Sequence, residues 1–329
     1  MTEYSSFDEV TLKFVEYHGK EEHQQAAYDL ATDAAQGFPE RVALLYNWRY
    51  CAAALLDKPD LAIEIIQKAI DDGFWWSEEY LRSDEDLKSL QDLPAFNRLV
   101  DTSEQQYRLA RSEAVPVALS LDLPAQSAEA LPLLLALHGN NSNAQDSVSF
   151  WTSGVEQGWL TVLLQSSQVI GSNAYVWDDL ELAAKETQNH YAGLAEEYQI
   201  DSEQIVIGGF SKGGEMAIWA TLMDTIPVRG FIAVCPGGPY IRDIDKWLPI
   251  LESNETLAEK RGYFVVGERD QSVENIQALH KMFVSKGLAC ELVIVPDIAH
   301  DFSADFDQTL AQALEYLGSQ RRKNVLPGM

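Results

Sequence analysis

The sequence predicts two domains: an all-α domain of helical repeats, followed by an α/β domain whose mainly parallel sheet carries helices on both faces. The chain has 329 residues, which is long for a single domain. Residues 7–111 lack strand-like runs and are rich in residues that favour helix. From Val115 onward, short apolar runs alternate with helical patterns, which is typical of a parallel sheet. We therefore expect domains at 1–112 and 113–329.

The first domain is predicted to contain helices that break at glycine or proline, where helices commonly end or begin. Within Tyr46–Asp71 the pattern of paired helices resembles tetratricopeptide-type repeats. We interpret these residues as packing core, with a peptide-binding groove as the alternative. The cluster Phe74, Trp75 and Trp76 is interpreted as core or interdomain packing, with a wall of the second domain's cleft as the alternative. The predicted helices are 6–17, 20–36, 39–56 and 59–72.

The second domain is predicted to hold its functional groups at the carboxyl ends of its strands, as parallel sheets do. The apolar runs that predict strands cover 115–123, 131–139 and 159–165 and begin again near 205, 230, 262 and 291. Helices are expected between them, at 144–157, 178–198, 212–224, 272–286 and 304–319.

The stretch QIVIGGFSKGGEMA, residues 204–217, predicts a sharp turn from a strand into a helix. Gly209, Ser211 and Gly213 fit the G-x-S-x-G nucleophile elbow, in which one serine hydroxyl rises above the sheet and small neighbours let the backbone pass close. Ser211 is therefore the candidate nucleophile. The alternative is a glycine-rich turn that packs a helix on the sheet or binds a phosphate.

Two further polar residues follow apolar runs that predict strands. Asp270 comes after GYFVVGE and His300 comes after ELVIVP. Acyl transfer from a serine needs a histidine to take and return a proton and a carboxylate to orient the imidazole. The chain order Ser211, Asp270, His300 suits that chemistry. Other carboxylates near these positions are alternatives to Asp270: Glu268, Asp297 and Asp301.

The loop after the second predicted strand would complete such a site. Two backbone N–H groups must face the developing oxyanion, and we expect them from Asn140 and from Lys212, the residue after the nucleophile. His138 would support the Asn140 loop. The side chain of Lys212 is expected to be solvated.

Two segments after strand ends offer aromatic residues for a substrate pocket. Residues 165–178 contain Tyr175 and Trp177, and residues 236–249 contain Tyr240 and Trp247. These side chains either line the cleft or pack the loops. If they line it, the wall is apolar and suits neutral acyl or aryl esters.

Four stretches together resemble the phospholipase/carboxylesterase branch of the α/β-hydrolases, which includes acyl-protein thioesterases. They are LHG at 137–139, GFSKGG at 209–214, residues 267–270 and Ala299-His300. The resemblance extends over about residues 115–320 and implies ester hydrolysis through an acyl-serine. The sequence departs from residues usual in that branch at three positions: Asn141, Lys212 and Ala299.

The formal net charge of −27 argues against nucleic acid and anionic membranes as partners, because phosphates would be repelled. The three cysteines, Cys51, Cys235 and Cys290, are far apart and are expected to be reduced thiols. No metal-binding pattern or phosphate loop is recognisable, so no cofactor and no metal are expected. The polar N-terminus and the lack of a long apolar run predict a cytoplasmic protein.

The sequence as a whole predicts a serine carboxylic-ester hydrolase with a small-molecule ester as substrate. One alternative is a protein-interaction module in which the helical repeats bind a peptide and the second domain is not catalytic. Another is a thioesterase or peptidase that uses the same three residues. The N-terminal helices would bind a protein partner, mediate self-association or cover the cleft.

Overall fold

The computed structural model describes residue 4 and residues 7–121 and 130–318. Its contacts divide the chain into two compact units, one comprising Met1–Ala114 with Val169–Asn173 and the other Val115–Gln168 with Ala174–Met329. Nothing in the sequence indicated that the short segment at 169–173 groups with the first unit. Three predicted elements have ends outside the described residues, at residue 6, residues 122–123 and residue 319.

The first unit is helical in the part that the structure describes, apart from one short strand. Proline at the first turn begins α4 and α6, as its fixed φ angle and missing N–H allow. The predicted helix at 39–56 is a turn of 3₁₀ helix followed by α3. The α-helices of this unit are α1 (Phe7–His18), α2 (Gln24–Gly37), α3 (Val42–Leu55), α4 (Pro59–Asp71), α5 (Glu78–Ser83) and α6 (Pro94–Glu113).

The described residues of the first unit form two core clusters, one built mainly from apolar faces of α3, α4 and α6 and the other from α1, α2 and α3. Trp76 packs in the first of these, edge-on to Tyr50 at 5.4 Å between ring centroids, which agrees with the interpretation of this aromatic cluster as packing. The segment 169–173 joins this unit through main-chain contacts: Trp76 forms a β-bridge with Gly171, and the Ser172 N–H donates to the Trp75 carbonyl at 3.0 Å.

The second unit contains the predicted α/β architecture. Its seven-stranded sheet has the order β1-β3-β2-β6-β7-β8-β9, and each neighbouring pair is parallel except β1 with β3. The strands of the chain are β1 (Val117–Ser120), β2 (Leu131–Leu137), β3 (Leu160–Gln165), β4 (Val169–Gly171, in the first unit), β5 (Ala174–Tyr175), β6 (Ile200–Phe210), β7 (Gly230–Val234), β8 (Arg261–Gly267) and β9 (Ala289–Val295).

Helices cover both faces of this sheet. Successive side chains of a strand point to opposite faces, and in β2 Leu133, Leu135 and Leu137 pack in one core cluster while Leu134 and Ala136 pack in another. The helix predicted at 144–157 is instead two short helices, and two short helices after β7 were not predicted. The α-helices are α7 (Val148–Trp151), α8 (Ser153–Glu156), α9 (Leu180–Glu197), α10 (Lys212–Leu222), α11 (Pro239–Arg242), α12 (Leu248–Ser253), α13 (Val273–Ser285) and α14 (Phe306–Gly318).

The strand register brings four loops to one edge of the sheet. Leu137 at the end of β2 pairs with Gly209 of β6, and Gly267 at the end of β8 pairs with Val295 at the end of β9. Because the strands are parallel, the loops that follow them emerge side by side. Among the described helices, none is long and apolar enough to cross a bilayer.

Candidate active site

Ser211 lies at the turn from β6 into α10, with φ 51° and ψ −119°. A positive φ is unfavourable for a residue with a side chain, and such backbone strain is concentrated at functional turns. The Ser211 N–H donates to the Val234 carbonyl at 2.9 Å, which ties the turn to the neighbouring strand β7. The predicted strand-to-helix elbow is therefore present.

The flanking glycines allow the elbow to pack closely. A Cβ atom at Gly209 would overlap the carbonyl group of Gly213, and one at Gly213 would overlap the carbonyl oxygens of Leu137 and His138. Any side chain at these positions would push α10 away from the end of β2. The pattern G-x-S-x-G thus follows from the backbone approach that raises Ser211 above the sheet.

His300 bridges the other two predicted residues. Its Nε2 lies 2.8 Å from Ser211 Oγ, and its Nδ1 lies 2.7 Å from Asp270 Oδ2. A carboxylate can only accept, so Nδ1 carries the proton and donates to Asp270, and Nε2 accepts from the serine hydroxyl. His300 is partly exposed, with 44% of its side-chain surface accessible, whereas the Asp270 side chain is 1% accessible.

Asp270 is held as an anion by its surroundings. Burial by itself raises the pKa of this carboxyl, but the hydrogen bonds from His300 and from the Ser272 N–H, the latter at 2.7 Å, outweigh burial and lower the pKa. The carboxylate is thus charged at neutral pH and can stabilise a protonated imidazole.

The three alternative carboxylates have different contacts. Asp297 is exposed and pairs with Arg269, and Glu268 is exposed and accepts from the Asp297 N–H at 3.3 Å. Asp301 accepts from the Phe302 N–H at 2.7 Å. The His300 hydrogen bond of Asp270 therefore favours the first choice made from the sequence.

The loop after β2 carries the expected oxyanion residue Asn140, which is exposed. This loop passes close to the elbow, since a Cβ atom at Gly139 would lie 2.9 Å from the ring of Phe210. Lys212, whose N–H is the other expected donor, is the first residue of α10. Backbone N–H groups at a helix start have no partner within the helix, so they are free to face an anion.

His138 supports this loop from below. It is 1% exposed, its Nδ1 lies 2.7 Å from the Gly139 carbonyl oxygen, and Trp177 donates its indole N–H to the His138 carbonyl at 2.9 Å. Burial lowers the pKa of His138 to about 4. A histidine that stays neutral and bonds to backbone is suited to holding a loop.

The pocket residues predicted from the sequence divide into two pairs. Trp177 and Trp247 are 1% and 0% exposed and belong to the hydrophobic core, so neither forms an open pocket wall as predicted. Each is large enough to fill the space under its loop, and each indole N–H donates to a backbone carbonyl. Tyr175 and Tyr240 are half-buried and remain available to a ligand.

The prediction of a solvated Lys212 side chain was wrong. It is 6% exposed, and its Nζ donates to Glu215 Oε1 at 2.8 Å. Glu215 is 0% exposed and was missed from the sequence. The sequence did indicate this ion pair, because Glu215 lies three residues after Lys212 and therefore on the same side of the helix. The other side chains of α10 are apolar or small, except for a threonine.

A row of aromatic rings was also missed. Phe210 contacts the His300 ring at 5.1 Å between centroids, Phe302 stacks on Phe210 at 4.8 Å, and Phe150 stacks on Phe302 at 4.0 Å. All three phenylalanines are half-buried. They form an apolar surface that begins beside the candidate general base.

Two groups of described residues have the atom types that ligate metals, with the ligating atoms of each within 4.8 Å of one another: Cys235 with Asp270 and His300, and Cys51 with Asp84 and Asp86. Each cysteine also lies within hydrogen-bond distance of an oxygen atom. Cys235 Sγ is 3.5 Å from the Asp301 carbonyl oxygen, and Cys51 Sγ is 3.4 Å from Asp84 Oδ2.

Comparisons with known proteins agree with this fold. Residues 186–317 match the family model described as Phospholipase/Carboxylesterase, and residues 8–111 match the one described as A/B hydrolase-like, N-terminal domain. The match over residues 8–111 shows that the helical region resembles a family of N-terminal domains found in hydrolase-like proteins. Its likeness to tetratricopeptide repeats stays a prediction, as does a protein partner or self-association through it. A search of curated proteins found no match.

Among solved structures, the chain is similar to an uncharacterized protein from Bacillus cereus ATCC 10987, with 29% identity, 95% of this chain and 98% of that chain covered, and a TM-score of 0.52. It also matches esterase PE8, with 19% identity, coverage of 61% and 99%, and a TM-score of 0.49. A carboxylesterase from Bacillus cereus matches with 15% identity, coverage of 64% and 98%, and a TM-score of 0.48.

Proposed function

The chain belongs to the phospholipase/carboxylesterase branch of the α/β-hydrolases, and we propose that it hydrolyses carboxylic esters through an acyl-serine intermediate. The observation that carries the proposal is the position of His300, within hydrogen-bond distance of Ser211 Oγ on one side and of Asp270 on the other. Distances of 2.8 and 2.7 Å are those needed for proton transfer and for orienting the ring.

In the acylation step, Ser211 Oγ attacks the ester carbonyl carbon while its proton passes to His300 Nε2. The tetrahedral intermediate collapses as the C–O bond to the alcohol breaks, and the imidazolium returns the proton to the departing oxygen. Asp270 stays ionised and stabilises the imidazolium. In deacylation, His300 takes a proton from water, the hydroxide attacks the acyl-serine, and Ser211 recovers its proton as the carboxylic acid leaves.

The N–H groups of Asn140 and Lys212 are proposed to bind the oxyanion of both tetrahedral intermediates. These N–H groups come from the loop after β2 and from the first turn of α10. The two segments pack closely, because Gly213 of α10 has no side chain to meet the His138 carbonyl. One such donor is worth about 10²–10³ in turnover. The positive end of the α10 dipole adds to the effect.

The substrate is proposed to be a neutral ester of small to medium size with an apolar acyl or aryl group. The net charge of −27 disfavours anionic substrates. The half-buried ring of Phe210 lies beside His300, and apolar substrate parts gain free energy by covering such a ring. Tyr175, Tyr240 and Phe210 are the residues we propose to contact the substrate.

Hydrolysis of p-nitrophenyl acetate, butyrate and octanoate by the wild type and by Ser211→Ala tests the proposal. We expect the variant to lose about 10⁴–10⁶ in kcat and to take no fluorophosphonate label, because no other group can form the acyl-enzyme. Ser202→Ala, at an exposed serine on β6, is the matched control and should keep full activity.

A folded wild type that neither hydrolyses any of the three esters nor takes the label would reject the proposal. The same three residues could cleave a thioester or an anilide instead. Matched oxygen, sulfur and nitrogen leaving groups on one acyl chain distinguish these, because the preferred bond gives the highest kcat/KM.

A further inference from the structure

Glu215 is a fully buried carboxylate one helical turn after the nucleophile. Its N–H donates to the Ser211 carbonyl at 3.1 Å within α10. Its carboxylate accepts from Lys212 Nζ at 2.8 Å, from the Tyr240 N–H at 2.7 Å and from the Ile241 N–H at 3.1 Å. A buried carboxylate is costly unless it is paired and hydrogen-bonded, and this one is both.

The turn that Glu215 holds also contacts the nucleophile elbow. The Gly237 N–H donates to the Ser211 carbonyl at 2.9 Å. A Cβ atom at Gly237 would lie 3.3 Å from Ser211 Oγ and 3.6 Å from His300 Cε1. At the next residue, Gly238, a Cβ atom would overlap the Glu215 carboxylate. The turn is therefore packed between Glu215 and the Ser211–His300 pair.

Lys212 extends these contacts to a second loop. Its Nζ lies 3.5 Å from Asp178 Oδ1, and Asp178 directly follows the buried Trp177 in the segment that also carries Tyr175. The series Asp178, Lys212, Glu215 thus contacts both loops that carry the half-buried tyrosines Tyr175 and Tyr240. Lys212 also neutralises the charge of Glu215, which allows the carboxylate to be buried.

We propose that Glu215, paired with Lys212, is a positioning residue that fixes residues 237–241 against Ser211 and so limits the length of the acyl group the site accepts. The inference rests on the proposed ester hydrolysis. Gly237 lies against Ser211 Oγ and His300, so we expect a released turn to move away from the reacting atoms and admit longer chains. Displacing groups at a reacting centre by about 1 Å can also cost 10²-fold in rate.

Two variants test the role of Glu215. Glu215→Gln keeps the size of the side chain and removes its charge. Lys212→Met combined with Glu215→Ala removes the acceptor and leaves no unpaired buried charge, and it keeps the backbone N–H of residue 212. Glu196→Gln, at an exposed position of α9, is the control for the charge change.

The kinetic readout is the ratio of kcat/KM for p-nitrophenyl acetate to that for p-nitrophenyl octanoate. We expect the ratio to fall about tenfold in the double variant and less in Glu215→Gln, with the octanoate KM lowered relative to the acetate KM. The control should match the wild type. Equal losses on both esters, with the ratio unchanged, would show a merely structural role and overturn the inference.

The second readout does not depend on activity. Hydrogen exchange of the Tyr240 amide should accelerate at least about tenfold in the double variant, because its acceptor is gone. Unchanged exchange would overturn the positioning role. If the wild type takes no fluorophosphonate label, the ester proposal fails together with the acyl-length claim, while accelerated exchange would still support the positioning of the turn by Glu215.

Discussion

Two histidine–aspartate pairs of nearly equal geometry lie in the two units of the chain. In the α/β unit, His300 Nδ1 is 2.7 Å from Asp270, and in the helical unit, His18 Nε2 is 2.8 Å from Asp86. Each pair also has a buried cysteine nearby. The distances within the pairs therefore do not distinguish a candidate active site from a structural contact.

The difference lies in the second ring nitrogen. His300 Nε2 contacts Ser211 Oγ at 2.8 Å, whereas His18 Nδ1 is buried and has no hydrogen-bond partner among the described residues. A general base needs a proton donor in reach and a route for the substrate. Only the His300 pair has a hydroxyl at its second nitrogen.

The cysteines beside the pairs do not act as nucleophiles in their present surroundings. Burial raises the pKa of Cys235 to about 12 and also raises the pKa of Cys51. The thiolate is the reactive form of cysteine, and neither thiol ionises at neutral pH. The third group and its place at a strand end, more than the His–Asp contact, therefore distinguish the candidate site.

The largest expected difference between the two pairs is the effect on kcat of replacing each aspartate in turn. Asp270→Asn should lower kcat about 10⁴-fold, because the amide can donate to His300 Nδ1 and stabilise the wrong tautomer. Asp86→Asn should leave kcat unchanged. Steady-state hydrolysis of p-nitrophenyl acetate measures both.

Thermal unfolding of both aspartate variants provides the control, since a folded protein is needed for either conclusion. A similar loss of activity in the two variants would mean that the pairs are not functionally different. Full activity of Asp270→Asn would mean that one of the neighbouring carboxylates, and not Asp270, orients His300.

The parts of the site that were predictable from the sequence follow local rules. The turn at Ser211 was predictable because close backbone approach demands glycine on both sides of it. The contacts of His300 with Asp270 and Ser211 were predictable because parallel strands put the loops that follow them at one edge of the sheet. The sheet itself was predictable because its buried stretches, such as residues 205–209 of β6 and the whole of β7, consist of apolar residues and glycine.

The parts that were missed depend on contacts between residues distant in sequence. Trp247 was expected either to line the cleft or to pack its loop, and it packs on Phe283 of α13. No local pattern shows which way a loop tryptophan turns. Glu215 bonds to the N–H groups of a turn 25 and 26 residues away. The helix predicted at 144–157 contains a break that composition does not show.

A third histidine, His138, differs from both of these, because its partner is the backbone carbonyl of Gly139 and not a carboxylate. Burial lowers the pKa of His138 from its ordinary 6.5 to about 4. The unfolded chain therefore binds a proton here at a higher pH than the folded one, and stability falls as pH drops below 6.5. We expect a loss of about 2 kcal/mol between pH 7 and pH 5 from this group.

Urea unfolding of the wild type and His138→Gln at both pH values measures this contribution. Lowering the pH from 7 to 5 should reduce the unfolding free energy of the wild type by that amount more than it reduces that of the variant. A shift of zero would mean that the folded protein accommodates a charged His138. His190→Gln, at a less buried histidine whose pKa burial also lowers, should show a smaller shift of the same sign.

The smallest expected effect belongs to the helical unit and has the opposite sign. The hydrogen bond to Asp86 raises the pKa of His18, although burial opposes it. A raised folded pKa means that the pair stabilises the fold fully below about pH 6.5 and that this contribution is lost as pH rises through the folded pKa. Because the pair is about one-quarter exposed, we expect it to contribute under about 1 kcal/mol to the free energy of unfolding.

Asp86→Asn should therefore destabilise the protein more at pH 5.5 than at pH 8.5 in urea unfolding. An equal cost at both values would show that His18 is neutral throughout and would overturn this prediction.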